Sequence, residues 1–210
     1  MSDSGLTLYF APRTRSFTAL WLLEELGVSY DLESFDINTG RHKQPDFLAL
    51  NPMGKVPLAV HDGVPISELG AITIYLADRF AARGLAPALD DPDRPAYLRW
   101  IFFASAIIEP AYMCKATQWE VPAATAAWGS YDGMVEVLRD GLKQGPWILG
   151  DRMTAADIQL GSVVRFGQNF GLLSSEGVLG EYVARVCELE SFARAMAIEE
   201  RESARFPPKK

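Results

Sequence analysis

The spacing of apolar residues changes character once along the chain, and that change constrains the fold more than any other feature. Through the first eighty or so residues, period-two runs alternate with period-3.6 runs. Leu6, Leu8 and Phe10 alternate as in a strand. Ala19, Leu22, Leu23 and Leu26 then follow helical spacing, closed by Gly27. Tyr30 and Leu32 open a second strand, and Phe47, Leu48 and Leu50 predict a short helix. Val56–Val60 and Val64–Ile66 flank Asp62-Gly63, a hairpin signal, and Ile72, Tyr75, Leu76 and Phe80 mark another helix. The order is βαβ, a short helix, then ββα, a small mixed sheet of about four strands.

Beyond a stretch rich in Gly, Pro, Ala and Asp, only the helical period remains. One stripe runs from Tyr97 through Trp100, Ile101, Ala104 and Ile108, ending near Glu109-Pro110. Further helices are predicted around Val135–Leu142, from Thr154 through Val164, and over Tyr182–Leu189. The fold class is α/β plus all-α. The predicted boundaries are an α/β domain over 1–82, a linker over 83–94 and an all-helical domain over 95–210.

Several function classes are poorly supplied. Acidic residues outnumber basic ones by 27 to 20, a net charge of −7, so a nucleic-acid partner is not expected. With two isolated histidines and two isolated cysteines, no metal or dithiol site is expected. The longest nearly unbroken apolar run, Trp100–Ile108, is far short of the ~20 residues of a membrane span, and no secretory signal opens the chain. The expected location is cytoplasmic, with no membrane partner. Chemistry must rest on hydroxyls, carboxylates or a borrowed reactive group.

Two segments carry the most chemical information. Asn51-Pro52-Met53-Gly54-Lys55-Val56-Pro57 places a proline in an apolar strand run, where it removes a ladder donor. Either the strand lies at an edge, or the Val56–Pro57 bond is cis and turns the Val56 backbone outward toward an extended peptide. In Ile66-Ser67-Glu68-Leu69-Gly70-Ala71-Ile72 a strand runs directly into a helix. Its free N–H groups are a potential carboxylate site, and Glu68 is either a ligand residue or a complement to the helix dipole.

Taken with Leu8-Tyr9, the turn from Pro12 to Ser16, Trp21–Gly27 and Tyr75-Leu76, these segments resemble the cytosolic glutathione S-transferases. The similarity extends through Trp147–Asp151 and Thr154–Asp157, where Thr154 and Asp157 have the spacing of a helix-capping box, so that Asp157 serves folding rather than catalysis. The resemblance implies a thioredoxin-like glutathione-binding domain, a helical domain and a homodimer. It implies transfer of the glutathione thiolate to a small hydrophobic electrophile. Glutathione-dependent peroxidase, dehalogenase or isomerase chemistry is an alternative, and a noncatalytic ligand- or protein-binding member is another.

Site residues follow from the same resemblance. The thiolate-stabilising hydroxyl belongs to Thr14, Ser16 or Tyr9, depending on how the turn aligns, with Arg15 falling at the cysteine position of one class. Glutathione is expected to meet Lys43, Lys55, Val56, Pro57, Glu68 and Leu69. Leu69 stands where the family usually has a serine, so only its backbone N–H remains for the γ-glutamyl carboxylate. The electrophile pocket is expected among Phe10, Arg13, Phe103, Ile107 and Met113, beside Cys114.

Overall fold

The computed structural model describes residues 5–207. Four strands, β1 (Leu6–Phe10), β2 (Asp31–Ser34), β3 (Leu58–His61) and β4 (Val64–Ser67), form one sheet in the order β2-β1-β3-β4. β1 pairs parallel with β2 and antiparallel with β3, and β3 pairs antiparallel with β4. Asp62 and Gly63 both take positive φ, 52° and 81°, as a two-residue hairpin turn matched to strand twist requires. With helices α1 (Ser16–Leu26), α2 (Pro45–Leu50) and α3 (Leu69–Arg79), this is the thioredoxin-like arrangement that the resemblance implies. β3 begins at Leu58, two residues later than the apolar run suggested, because Pro57 offers no N–H to the ladder.

Six further α-helices follow among the described residues: α4 (Arg94–Phe102), α5 (Glu109–Thr117), α6 (Tyr131–Leu142), α7 (Ala155–Asn169), α8 (Gly177–Cys187) and α9 (Glu190–Arg205). The chain divides into two compact units, 1–76 with 189–210, and 77–188. The expected boundaries were 1–82, 83–94 and 95–210; here the first division falls between 76 and 77, and a second falls between 188 and 189. α9 groups with the sheet rather than with the other helices because it packs on α1.

The packing explains why α1 is buried nearly all round. One side meets β1, where Leu6, Leu8 and Phe10 are fully buried, and another meets α9. Phe192 of α9 lies edge-on to Phe17 and Trp21, at 5.8 and 5.1 Å between ring centroids. Trp21 Nε1 donates to Ser191 Oγ at 3.0 Å, and Arg194 reaches both the carboxylate and the carbonyl of Glu24.

In the second unit the expected stop at Glu109-Pro110 is absent. The helix instead widens into a π-helical segment, Phe103–Ile108, and continues as α5 with Pro110 in its first turn. The wider register accommodates a proline that an α-helical interior would not. The Ile101 carbonyl accepts from Ser105 Oγ at 3.3 Å and from Gln159 Nε2 of α7 at 3.1 Å. The segment expected as a linker is pinned by Arg94. Its guanidinium makes paired 2.6 Å bonds to Asp78 and donates to Pro87 O at 3.0 Å.

Candidate functional site

The sheet register brings the site segments to one end of the first unit. Tyr9 pairs with Leu58 and Leu58 with Ser67. Continuing those registers directs Lys55–Pro57 between the turn that follows β1 and the Glu68-Leu69 junction that follows β4. The Val56–Pro57 bond is cis. Asn51, itself buried, holds the approach: its Nδ2 donates to Lys55 O at 2.9 Å and its Oδ1 accepts from Met53 N–H at 3.1 Å. The Val56 N–H and C=O have no partner among the described residues. A half-buried main-chain donor and acceptor left open side by side is an edge to which an extended peptide can pair.

At the β4–α3 junction Glu68 has φ +67°, the left-handed region that non-glycine residues seldom occupy. Its carbonyl accepts from Ile72 N–H at 2.9 Å and so opens α3. Its carboxylate is exposed and makes no hydrogen bond or ion pair among the described residues. Leu69, half-buried, supplies a first-turn N–H at the positive end of the helix dipole. Lys43 Nζ donates to Met53 O at 3.1 Å. Burial pushes the His42 imidazole below its usual pKa, and the charges of Lys43 and Lys55 push the same way. Gly54, at φ +56°, makes room for them, since a Cβ there would lie 2.7 Å from His42 O and 2.8 Å from Lys43 Nζ.

The turn after β1 sorts the three hydroxyl candidates. Ser16 is fully buried; its Oγ donates to Ala11 O at 2.8 Å and accepts from Ala11 N–H at 3.1 Å. Its hydrogen is committed to closing the turn. Thr14 is half-buried, with Oγ1 2.7 Å from Ala11 O and 2.8 Å from Ser16 Oγ. Because Ala11 O keeps the Ser16 hydrogen bond, the Thr14 hydrogen can turn to a ligand without stranding a carbonyl. Tyr9 sits on the strand with its ring edge against Phe47, 5.5 Å between centroids, in a packing position.

The residues expected to line an electrophile pocket fall in both units. Phe10 is fully buried in the core of the first unit. The Arg13 guanidinium donates to the carbonyls of Ser203 and Phe206 at the end of α9. In the second unit Phe103 packs on Trp100 at 5.1 Å, Ile107 is half-buried in the π segment, and Met113 and Phe102 are exposed. Cys114 is a half-buried free thiol. Asn51 was not among the expected site residues, although its place before Pro52 in a turn is the signal of such a clip. Glu199, which accepts from the Arg13 N–H, had no local signal. Among the described residues no cluster of His, Cys, Asp and Glu could hold a metal ion, and no helix is long and apolar enough to cross a membrane.

Known proteins resemble this chain along most of its length. The family model described as glutathione S-transferase, N-terminal domain, matches residues 4–78. The disulfide-bond oxidoreductase YfcG of Escherichia coli K12 is 30% identical over 73% of this chain and 76% of its own. Glutathione S-transferase 2 of Schizosaccharomyces pombe is 31% identical over 87% and 84%. A crystal structure of a glutathione transferase from Methylococcus capsulatus superposes with a TM-score of 0.78 at 28% identity, covering 93% of this chain and 99% of that one.

Proposed function

Since the chain belongs to the glutathione S-transferase family, we propose that it binds glutathione along Val56 and Glu68 and transfers the thiolate to a small hydrophobic electrophile. The observation that carries the reading is the open Val56 N–H and C=O, set between the Thr14 turn and the Glu68-Leu69 junction. In this reading the cysteinyl residue pairs with Val56. Glu68 meets the glutamyl α-amino group, the Leu69 N–H meets its α-carboxylate, and Lys43 and Lys55 face the glycyl carboxylate.

A free thiol with pKa ~8.5 is only a few per cent ionised at pH 7, and lowering it by two units takes roughly 2.7 kcal/mol of preferential anion stabilisation. The Thr14 hydroxyl and the N-terminus of α1 supply it. Transfer then forms a carbon–sulfur bond. In substitution the leaving group departs with the bonding electron pair; in addition to an activated alkene the adjacent carbon takes up a proton. A second reading is thiol–disulfide exchange run by the thiol of glutathione itself. The similarity to YfcG and a catalytic turn without cysteine favour it. Turnover of an aromatic halide against turnover of a mixed disulfide separates the two.

Calorimetric titration with glutathione tests the site. Glu68→Gln is expected to weaken binding about tenfold or more, since a hydrogen bond to a charged group contributes ~1.5–3 kcal/mol whereas a dipole effect alone contributes a few tenths. Leu69→Ser is expected to tighten it. Unchanged affinity in Glu68→Gln would return that carboxylate to the role of a helix cap. The protein is further proposed to work as a homodimer; sedimentation at micromolar concentration as a single species near 23.2 kDa would exclude this.

A further inference from the structure

Arg13 has φ +62° although it is not glycine. An L-residue is held in that region only where its surroundings over-determine it, and such positions concentrate at functional sites. Here the surroundings come from the far end of the chain. The Arg13 N–H donates to Glu199 Oε1 at 2.6 Å, across 186 residues of sequence. Its guanidinium donates through Nη1 to Ser203 O at 3.4 Å and through Nη2 to Phe206 O. Those carbonyls belong to the end of α9, where helical acceptors lack intrahelical donors and a cation is favoured by the dipole. The other end of α9 is fixed to α1 through Ser191–Trp21 and Arg194–Glu24. The helix therefore bridges the body of α1 and the turn that precedes it.

We infer that Arg13 and Glu199 form a clamp through which α9 positions the Thr14 hydroxyl for thiolate stabilisation. The inference rests on the proposed role of Thr14. Neither clamp residue touches the thiol; both are positioning residues. Thr14 follows Arg13 directly, so a return of Arg13 to negative φ would rotate the intervening peptide. That rotation would carry Oγ1 away from its place beside Ala11 O and Ser16 Oγ. Specificity for glutathione lies in Val56 and Glu68, so the clamp acts on the ionisation of the thiol and not on its capture.

Ultraviolet titration of the glutathione thiolate bound to the full-length protein reads this directly. Glu199→Ala is expected to raise the bound thiol pKa by about one unit, a tenfold loss of thiolate below that pKa, with little change in glutathione affinity. Glu199→Gln keeps an oxygen acceptor for the Arg13 N–H and should restore most of the shift. Arg13→Gly adopts φ +62° without strain, so adding Glu199→Ala to it should move the titration less than Glu199→Ala does alone; if the single Glu199→Ala chain does not fold, the double variant is read against Arg13→Gly, where little further shift is expected. Arg194→Ala loosens α9 without touching the turn, and should lower the melting temperature while leaving the titration in place. An equal shift in Arg194→Ala would show general loosening and overturn the clamp. If Thr14→Val moves the titration and Glu199→Ala does not, the clamp fails and the hydroxyl assignment stands. If Thr14→Val moves nothing, or the wild-type protein binds no glutathione, the underlying reading fails and the clamp falls with it.

Discussion

Asp157→Ala is expected to cost about 3–5 kcal/mol of stability, with a fall in melting temperature of roughly 8–15 °C. The carboxylate is fully buried and accepts from Ile148 N–H at 2.8 Å, Thr154 N–H at 2.9 Å, Thr154 Oγ1 at 3.2 Å and Tyr182 OH at 3.0 Å. It closes the capping box of α7, and it ties that helix to the loop before it and to α8. Alanine leaves Ile148 N–H and Thr154 N–H facing an apolar space, each buried unsatisfied donor costing ~1–3 kcal/mol, while Tyr182 OH keeps only its 3.3 Å bond to the main-chain carbonyl of the same position. Partial relaxation or water entry brings the sum into the stated range.

Burial pushes the Asp157 pKa upward, against the hydrogen bonds that pull it down. Between its unfolded value near 3.9 and the higher folded one, the native state holds more protons than the unfolded chain. This group's contribution to stability therefore falls as pH rises through that window and is constant above it. Asp157→Asn removes the titration. Its acid-range stability profile should lack that descending component, which denaturant melts from pH 3 upward would reveal. An unchanged profile would show that Asp157 does not titrate in the window.

The fold was legible wherever apolar residues recur at a regular period. β1 reads as a strand because Leu6, Leu8 and Phe10 share the core face, and α1 reads as a helix because apolar residues recur on its spacing. α9 was not legible because its buried positions include Ser191 and Glu202, with Phe192 and Ala195 too few to make a stripe. Glu202 is buried beside Arg201 and Arg205, a paired charge that hydropathy counts as surface. Pro110 was misleading for another reason: a proline marks a helix end only if the register stays α, and here it widens to π. At the site, the motif from Asn51 to Pro57 and the Glu68-Leu69 junction were readable because neighbours in sequence form them. Arg13 could not be placed, since Glu199, Ser203 and Phe206, which hold it, lie at the opposite end of the chain.

Thr14→Val is expected to raise the pKa of bound glutathione by about 1–2 units, the equivalent of one thiolate hydrogen bond of ~1.5–3 kcal/mol. Transferase rate at neutral pH should fall about 10–100-fold, and should partly recover as pH rises through the new pKa. Valine keeps the shape and Ala11 O retains its bond from Ser16, but the Ser16 N–H loses the Thr14 Oγ1 acceptor at 3.2 Å, so stability should fall by about 1–2 kcal/mol. Ser16→Ala should instead lose mainly stability. It strands the buried Ala11 N–H, costing ~1–3 kcal/mol of stability, while the thiol titration moves only so far as the turn itself shifts. Tyr9→Phe should leave the titration in place, because its ring packs on Phe47. A titration that moves in Tyr9→Phe and stays put in Thr14→Val would transfer the role to Tyr9. If it stays put in all three variants, stabilisation comes from the N–H groups at the start of α1, and no side-chain hydroxyl is essential.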